Sequence, residues 1–302
     1  MKIMKWLGIG LAVLVAVVAV ALIGARVVSG NKLAKTWEVR DLPVPTLPTD
    51  EAAIAEGGRL FFARGCAECH GADGAGKVVV DDPVLGKVVG ANITRGKGGL
   101  PPTFGDEDMV RVFKHCVRPD GTSIKIMPCE ETMLIPDREI GAMIAWMKTL
   151  PPVDREVETV ALSLTGHALH GFGVIPLVSP EKLDFDAAIP PAPEPGPTAA
   201  WGERLAQIQC VGCHGAGFSG GPMPGMPPTM PVPTNITPDE ATGIGKWKKE
   251  QFVHLLKTGK RPDGTDVNPF MPWSVYKNLN EMEMDAIWAY LRERPAKPFG
   301  NR

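Results

Sequence analysis

"CAECH" at residues 66–70 returns as "CVGCH" at 210–214, so Cys66, Cys69 and His70 are matched by Cys210, Cys213 and His214, 144 positions later. Three chemistries use a Cys-x-x-Cys pair. A dithiol redox pair belongs in a strand-and-helix context, which neither copy has, and a zinc ribbon needs a second pair roughly 15–20 residues away. In Cys-x-x-Cys-His the two thiols form thioethers with haem vinyl groups, and the adjacent imidazole turns to the iron. Two such motifs predict two covalently attached haem c groups, with His70 and His214 as proximal ligands.

The other axial position calls for a soft or imidazole ligand from downstream. Met127 follows His70 by 57 residues, and Met271 follows His214 by the same 57. Both sit in Pro-bearing loops ("MPC", "MPW"), where a thioether is aimed without helical constraint. Met143, Met147 and Met284 lie on helical stripes and read as packing. Met223, Met226 and Met230 also precede prolines and are rivals in the second copy; the matched spacing favours Met271. Met/His ligation saturates the iron and raises its potential, which suits electron transfer without substrate at the metal.

The elements that must position these residues are themselves repeated. "NIT" at 92–94 returns at 235–237, and "RPDGT" at 118–122 returns at 261–265. Ile140, Met143, Ile144 and Met147 trace one apolar helical stripe, and Met284, Ile287, Trp288 and Leu291 trace its counterpart. Pro151 and Pro295 stop these helices. A short helix is also expected before each Cys pair. Between these ends, Gly and Pro predict long loops and no substantial sheet, which leaves few side chains for a core and calls for a large group at the centre of each domain.

The 302 residues divide as 1–30, an N-terminal membrane anchor or uncleaved signal; 31–49, a linker; 50–152, a first domain; 153–197, a Pro-rich acidic linker; and 198–302, a second domain. The run from Trp6 to Ala25 is uncharged and long enough to cross a bilayer. A cleavage site at Ala19-Val20-Ala21 is the competing reading, but the apolar run continues past it. Net charge is -2, distributed as +4 over 1–49, -3 over 50–152, -5 over 153–197 and +2 over 198–302. No basic surface points to nucleic acid. Within 153–197, "IPPAPEPGPT" reads as a stiff extended spacer, whereas "TGHALHGFGVIPLV" is apolar enough to pack on a domain.

On these motifs, most specifically "NITPDEATGIGKWKKEQFVHLLKTGKRPDGTDVNPFMPW", the chain resembles a class I cytochrome c duplicated in tandem. It is similar to the membrane-anchored dihaem cytochromes that serve as electron-transfer subunits of bacterial periplasmic dehydrogenases and respiratory chains. The resemblance covers about 50–152 and 198–302. It implies an all-α fold, two tandem class I domains after a single N-terminal transmembrane helix, with Met127 and Met271 as distal ligands. It also implies that Trp247 donates to a haem propionate, although Phe104, which cannot donate, takes that place in the first copy. Asn92 and Asn235 are candidates for hydrogen bonds at the haem edge, with turn formation as the competing role. Because such proteins acquire haem outside the cytoplasmic membrane, the resemblance puts Lys2 and Lys5 inside and both domains on the periplasmic side.

The first copy also departs from the second around the methionine loop. Cys116 replaces Gly259 and Cys129 replaces Trp273. In an oxidising compartment a Cys116–Cys129 disulfide would fix the Met127 loop; the rival is a thiolate ligating the first iron. His115 is a weak alternative haem ligand. His254 reads as a helix residue, and His167 and His170 lack a third metal ligand. The Arg118–Gly121 and Arg261–Gly264 segments read as turns. With no nucleophile triad, phosphate loop or paired carboxylates, no catalytic residue is assigned. The leading expectation is a non-enzymic carrier of single electrons, from a dehydrogenase or quinol-oxidising complex to a terminal oxidase or soluble carrier. The alternatives are a catalytic dihaem enzyme of peroxidase or thiosulfate-oxidising type, open or thiolate-bound in domain 1, and a fixed dihaem subunit of a terminal oxidase.

Overall fold

The computed structural model describes residues 2–224, 226 and 228–302, with the backbone alone for Lys2. Helix α1 (Lys2–Ala34) is one unbroken rod, and its apolar residues from Ile3 to Ile23 are largely exposed. The first domain follows with α2 (Glu51–Ala63), α3 (Cys66–His70), a hairpin of β1 (Val78–Asp82) and β2 (Gly86–Val89), α4 (Asp106–His115), α5 (Cys129–Thr132) and α6 (Asp137–Met147). The connecting segment contributes β3 (Val160–Leu162) and α7 (Leu164–Gly171). The second domain comprises α8 (Ala199–Gln209), α9 (Val211–His214), α10 (Lys249–Thr258), α11 (Trp273–Tyr276) and α12 (Glu281–Glu293).

Each domain is closed by its first and last helices. Asp50 starts α2 by accepting the Ala53 amide at 2.8 Å, and Thr198 starts α8 by accepting that of Trp201 at 3.3 Å. Gly57 of α2 lies against the Ala142 carbonyl of α6, and Gly202 of α8 against the Ala286 carbonyl of α12. A methyl group at either glycine would collide with backbone, so the two crossings require the same residue for the same reason. Ile140, Met143 and Ile144 are buried in the first core, and Met284, Ile287 and Leu291 in the second. The stripes therefore face inward, as their spacing predicts.

The chain is mostly helical but not free of strand. An antiparallel sheet of order β1-β2-β3 stands beside the first domain, with Val80 opposite Val88 and Val88 opposite Val160. The β-branched run Val78-Val79-Val80 favours extended backbone. Asp82 closes the hairpin by accepting the amides of Val84 and Leu85, both at 2.8 Å. The Gly and Pro content around this run masked it in the sequence. Its third strand comes from the connecting segment, which therefore packs on domain 1 rather than hanging free.

The two domains meet directly, and the contact is nearly two-fold. Glu139 and Glu283 occupy equivalent positions on α6 and α12, and both accept from the single guanidinium of Arg64, at 2.9 and 2.7 Å. The Arg64 side chain is fully buried. Its repeat counterpart, Ile208, inserts into the core of the first domain, while Ala63 inserts into that of the second. Arg59 adds a second cation to Glu283 at 2.7 Å. Burial alone would raise the Glu283 carboxyl, but Arg64 and Arg59 outweigh it and hold the group below its ordinary value.

Candidate haem centres

The residues ahead of each Cys-x-x-Cys-His motif belong to a helix that runs straight into it. α2 ends at Ala63 and α3 begins at Cys66; α8 ends at Gln209 and α9 begins at Val211. Gly65 makes the first turn possible with φ 78°. Glycine also follows each histidine, Gly71 at φ 76° and Gly215 at φ 78°, so the chain leaves the motif in the same direction twice.

Both imidazoles are oriented by the same device. His70 Nδ1 lies 2.9 Å from the Ala91 carbonyl, and His214 Nδ1 lies 2.7 Å from that of Thr234. A carbonyl only accepts, so Nδ1 carries the proton in each ring and Nε2 is left with its lone pair for a metal. Burial lowers the pKa of both imidazoles, which keeps them neutral and ready to ligate. Burial also pushes the Cys66 and Cys210 thiols up to about 12. These surroundings oppose a thiolate and suit an uncharged thioether.

In the second domain these groups open onto one cavity, about 1350 Å³ of empty space including its mouth. Cys210, Cys213, His214 and Met271 all line it, together with Trp247, Asn235 and a wall of Ile244, Phe252, Leu255 and Ile287. An apolar chamber with two thiols and an imidazole on its wall, and a thioether in the same chamber, fits a haem by shape and donor set. In the first domain Cys66 and Met127 pack against one core. Among the described residues lining the second cavity, Met223, Met226 and Met230 do not appear.

The other residues singled out in the sequence fall in definite places. Asn92 donates to the Val153 carbonyl at 2.7 Å and accepts from Thr94, while Asn235 donates to the Lys297 carbonyl at 2.7 Å and accepts from Thr237. Both side chains thus stitch the loop after the motif to the segment beyond the last helix. Phe104 is buried in the first core, where Trp247 in the second domain reaches the cavity. Cys116 and Cys129 are joined by a disulfide with Cα atoms 6.0 Å apart. His115 is buried and packs edge-on against Phe185, with ring centroids 5.3 Å apart. His254 is exposed on α10. Asp120 and Asp263 accept from the amides of Thr122 and Thr265, both at 2.9 Å, which gives the two Arg-Pro-Asp-Gly segments their turns.

Sequence reasoning missed the Arg64–Glu139–Glu283 bridge. Its signal was present: an acidic residue precedes the apolar stripe at the same place in both copies, "REI" and "MEM", a position that helical spacing puts beside the buried face.

Residues 199–295 match the cytochrome c family, and residues 52–147 match the family described as cytochrome C oxidase, cbb3-type, subunit III. The chain carries two cytochrome c domains. They imply two covalently bound haem c groups in this dihaem chain. Among its relatives are the fructose dehydrogenase cytochrome subunit of Gluconobacter japonicus, 34% identical over 33% of this chain and 22% of that protein, and the gluconate 2-dehydrogenase cytochrome c subunit of Pantoea cypripedii, 36% identical over 30% and 21%. The cytochrome c subunit of the quinone alcohol dehydrogenase of Gluconobacter oxydans is 35% identical over 30% of the chain and 20% of its own length. The chain thus spans less than a quarter of each of these relatives.

Proposed function

We propose that the protein is a membrane-anchored electron-transfer subunit that accepts single electrons from a dehydrogenase on the periplasmic side of a bacterial cytoplasmic membrane. It delivers them to a terminal oxidase or a soluble carrier. The observation that carries this reading is the doubled Cys-x-x-Cys-His motif, with each histidine held by a backbone carbonyl and Met271 in the same cavity as His214. When bound, each haem supplies a one-electron centre. Cys66 and Cys69 would tether the first and Cys210 and Cys213 the second, and His70 with Met127, and His214 with Met271, would ligate the irons. Trp247 and the loops built on Asn92 and Asn235 would line the haem edges. The domains are assigned as class I cytochromes over 50–152 and 198–302, with residues 1–30 as the anchor, joined by segments 31–49 and 153–197. The relatives named as cytochrome subunits of dehydrogenases support a dehydrogenase as donor.

Six-coordinate ligation separates a carrier from a catalytic centre, because an iron held on both sides has no place for an exogenous ligand. Carbon monoxide is expected to leave the spectrum of the reduced wild-type protein unchanged, and to bind in Met271→Ala. Rapid binding to either wild-type haem would instead point to an open, reactive iron and contradict the carrier reading.

A further inference from the structure

Helix α7 is not free of the membrane helix. Gly171 lies directly on the backbone of Ala25, and Ser29 of α1 is buried against α7 with its hydroxyl 2.8 Å from His167 Nδ1 and 2.9 Å from His170 Nδ1. One hydroxyl has a single proton to give, so one imidazole accepts it and the other donates its own Nδ1–H to the oxygen. This polar clamp fixes the direction of α7. His167 and His170 meet residue 29 while Gly171 meets residue 25, so α7 runs antiparallel to α1 and its C-terminus points back along α1 toward the apolar stretch.

The depth of that C-terminus follows from α1. The uncharged stretch from Trp6 to Ala25 rises about 30 Å as a helix, the thickness of a hydrocarbon core. Gly171 is therefore level with the outer end of that stretch. Beyond it the chain turns sharply: the amides of Phe172, Gly173 and Val174 bond to the carbonyls of Ala168, His170 and Leu169, with Gly173 at φ 77°. The tip of this turn is apolar and uncovered, Phe172 being 65% and Val174 48% exposed. No Asp, Glu, Lys or Arg occurs between Thr159 and Pro180. After the tip the chain returns to the first domain, where Leu177 and Val178 are buried and the Leu177 carbonyl accepts the Ile126 amide at 3.0 Å.

We propose that the tip of this loop, Phe172 to Val174, inserts into the outer leaflet of the bilayer that α1 crosses and gives the first domain a second, monotopic foothold. The inference rests on the reading of α1 as a membrane-spanning helix. An exposed Phe beside a Val, at the depth where a spanning helix leaves the hydrocarbon, gains by burial at the boundary between acyl chains and headgroups. With both a spanning helix and this loop engaged, domain 1 is held at a fixed tilt and cannot swing about a single rod. The loop also joins the membrane to the segment leading into Met127, whose carbonyl accepts the Ser179 hydroxyl at 2.6 Å.

With all six native cysteines used in thioethers and the disulfide, a single introduced cysteine carries a nitroxide label uniquely. The full-length protein in phospholipid vesicles is labelled in separate variants at Phe172→Cys, Val18→Cys and Glu250→Cys, and relaxation of each label by oxygen and by a water-soluble nickel chelate is compared. The label at 172 is expected to favour oxygen, as at 18, whereas the label at 250 favours nickel. A label at 172 that behaves as at 250, while 18 favours oxygen, overturns the foothold and leaves the anchor standing. Nickel-favoured relaxation at 18 as well overturns both.

Discussion

At the end of α4 the chain enters the left-handed region at Cys116, φ 51°, and at the end of α10 it does so at Gly259, φ 72°. The two residues are repeat equivalents that end equivalent helices, and both are followed by the loop that carries a methionine. The domains close this junction differently. In domain 2 the bare Cα of Gly259 lies under the indole of Trp273, where a Cβ would come within 2.8 Å of the ring. In domain 1 the counterparts of these residues are Cys116 and Cys129, and a covalent bond takes the place of the packed ring. A left-handed backbone is strained for cysteine, and at both helix ends it is fixed by backbone bonds, the Cys116 amide to the Val112 carbonyl at 3.0 Å and the Gly259 amide to the Leu255 carbonyl at 2.8 Å. The same methionine loop is thus fixed by a bond in one domain and by packing in the other. The covalently fixed domain is also the one that holds the segment leaving α1, through the Trp37 amide on the Gly121 carbonyl at 2.9 Å.

Breaking what the domains share has the largest expected effect. Arg64→Met leaves Glu139 and Glu283 buried without their common cation, and loss of one partner of a buried pair costs about 3–5 kcal/mol. Differential scanning calorimetry is expected to resolve one cooperative transition into two, because the bridge belongs to neither domain alone. A single transition at the wild-type temperature would show that the interface is held by Ala63 and Ile208 without the arginine.

The next effect separates the domains. Cys116→Ser with Cys129→Ser removes a cross-link over 13 residues and is expected to destabilise domain 1 by about 3 kcal/mol. Domain 2 should be untouched, as followed by the optical signature of each haem during denaturant titration. In Gly259→Ala the new methyl group meets both a left-handed backbone and the Trp273 ring, a loss of about 1–2 kcal/mol confined to domain 2. Equal responses of the two domains to either variant would erase the distinction.

Glu131 gives the smallest effect. This α5 carboxyl lies against Gly212 of the other domain's haem-binding motif, and burial, with Glu130 beside it, pushes its pKa up to about 7. A value raised above the ordinary 4.5 means that the folded state's advantage is complete below pH 4.5 and is lost as pH rises through about 7. Over that window the thermal midpoint of Glu131→Gln should rise with pH relative to that of the wild type, because only the wild type loses the contribution of this carboxyl.

Much of the site was legible in the sequence because covalent haem chemistry demands a rigid local spelling. The cysteines, His70, His214 and the helical stripes follow from spacing alone. What spacing does not carry is long-range pairing. Val78–Val89 reads as a Gly-flanked loop until β3, contributed from residues 160–162, gives the hairpin a partner. Arg64 has a hydrophobic repeat counterpart, so a search for matched residues passes over it, although it binds two matched glutamates. His167 and His170 read in the sequence as a pair without a third metal ligand; the structure instead bonds both rings to the Ser29 hydroxyl, 138 residues before His167, a pairing that no local spacing carries.

The most direct test of two matched electron-carrying centres is an optical redox titration of the purified full-length protein. Haem reduction would be followed together with the weak far-red band of methionine sulfur on ferric iron. Two haems per chain, both at high potential and both carrying that band, are the expected result. One haem without the band, at low potential, would contradict the equivalence of Met127 and Met271 and would make the first domain a chemical site rather than a carrier.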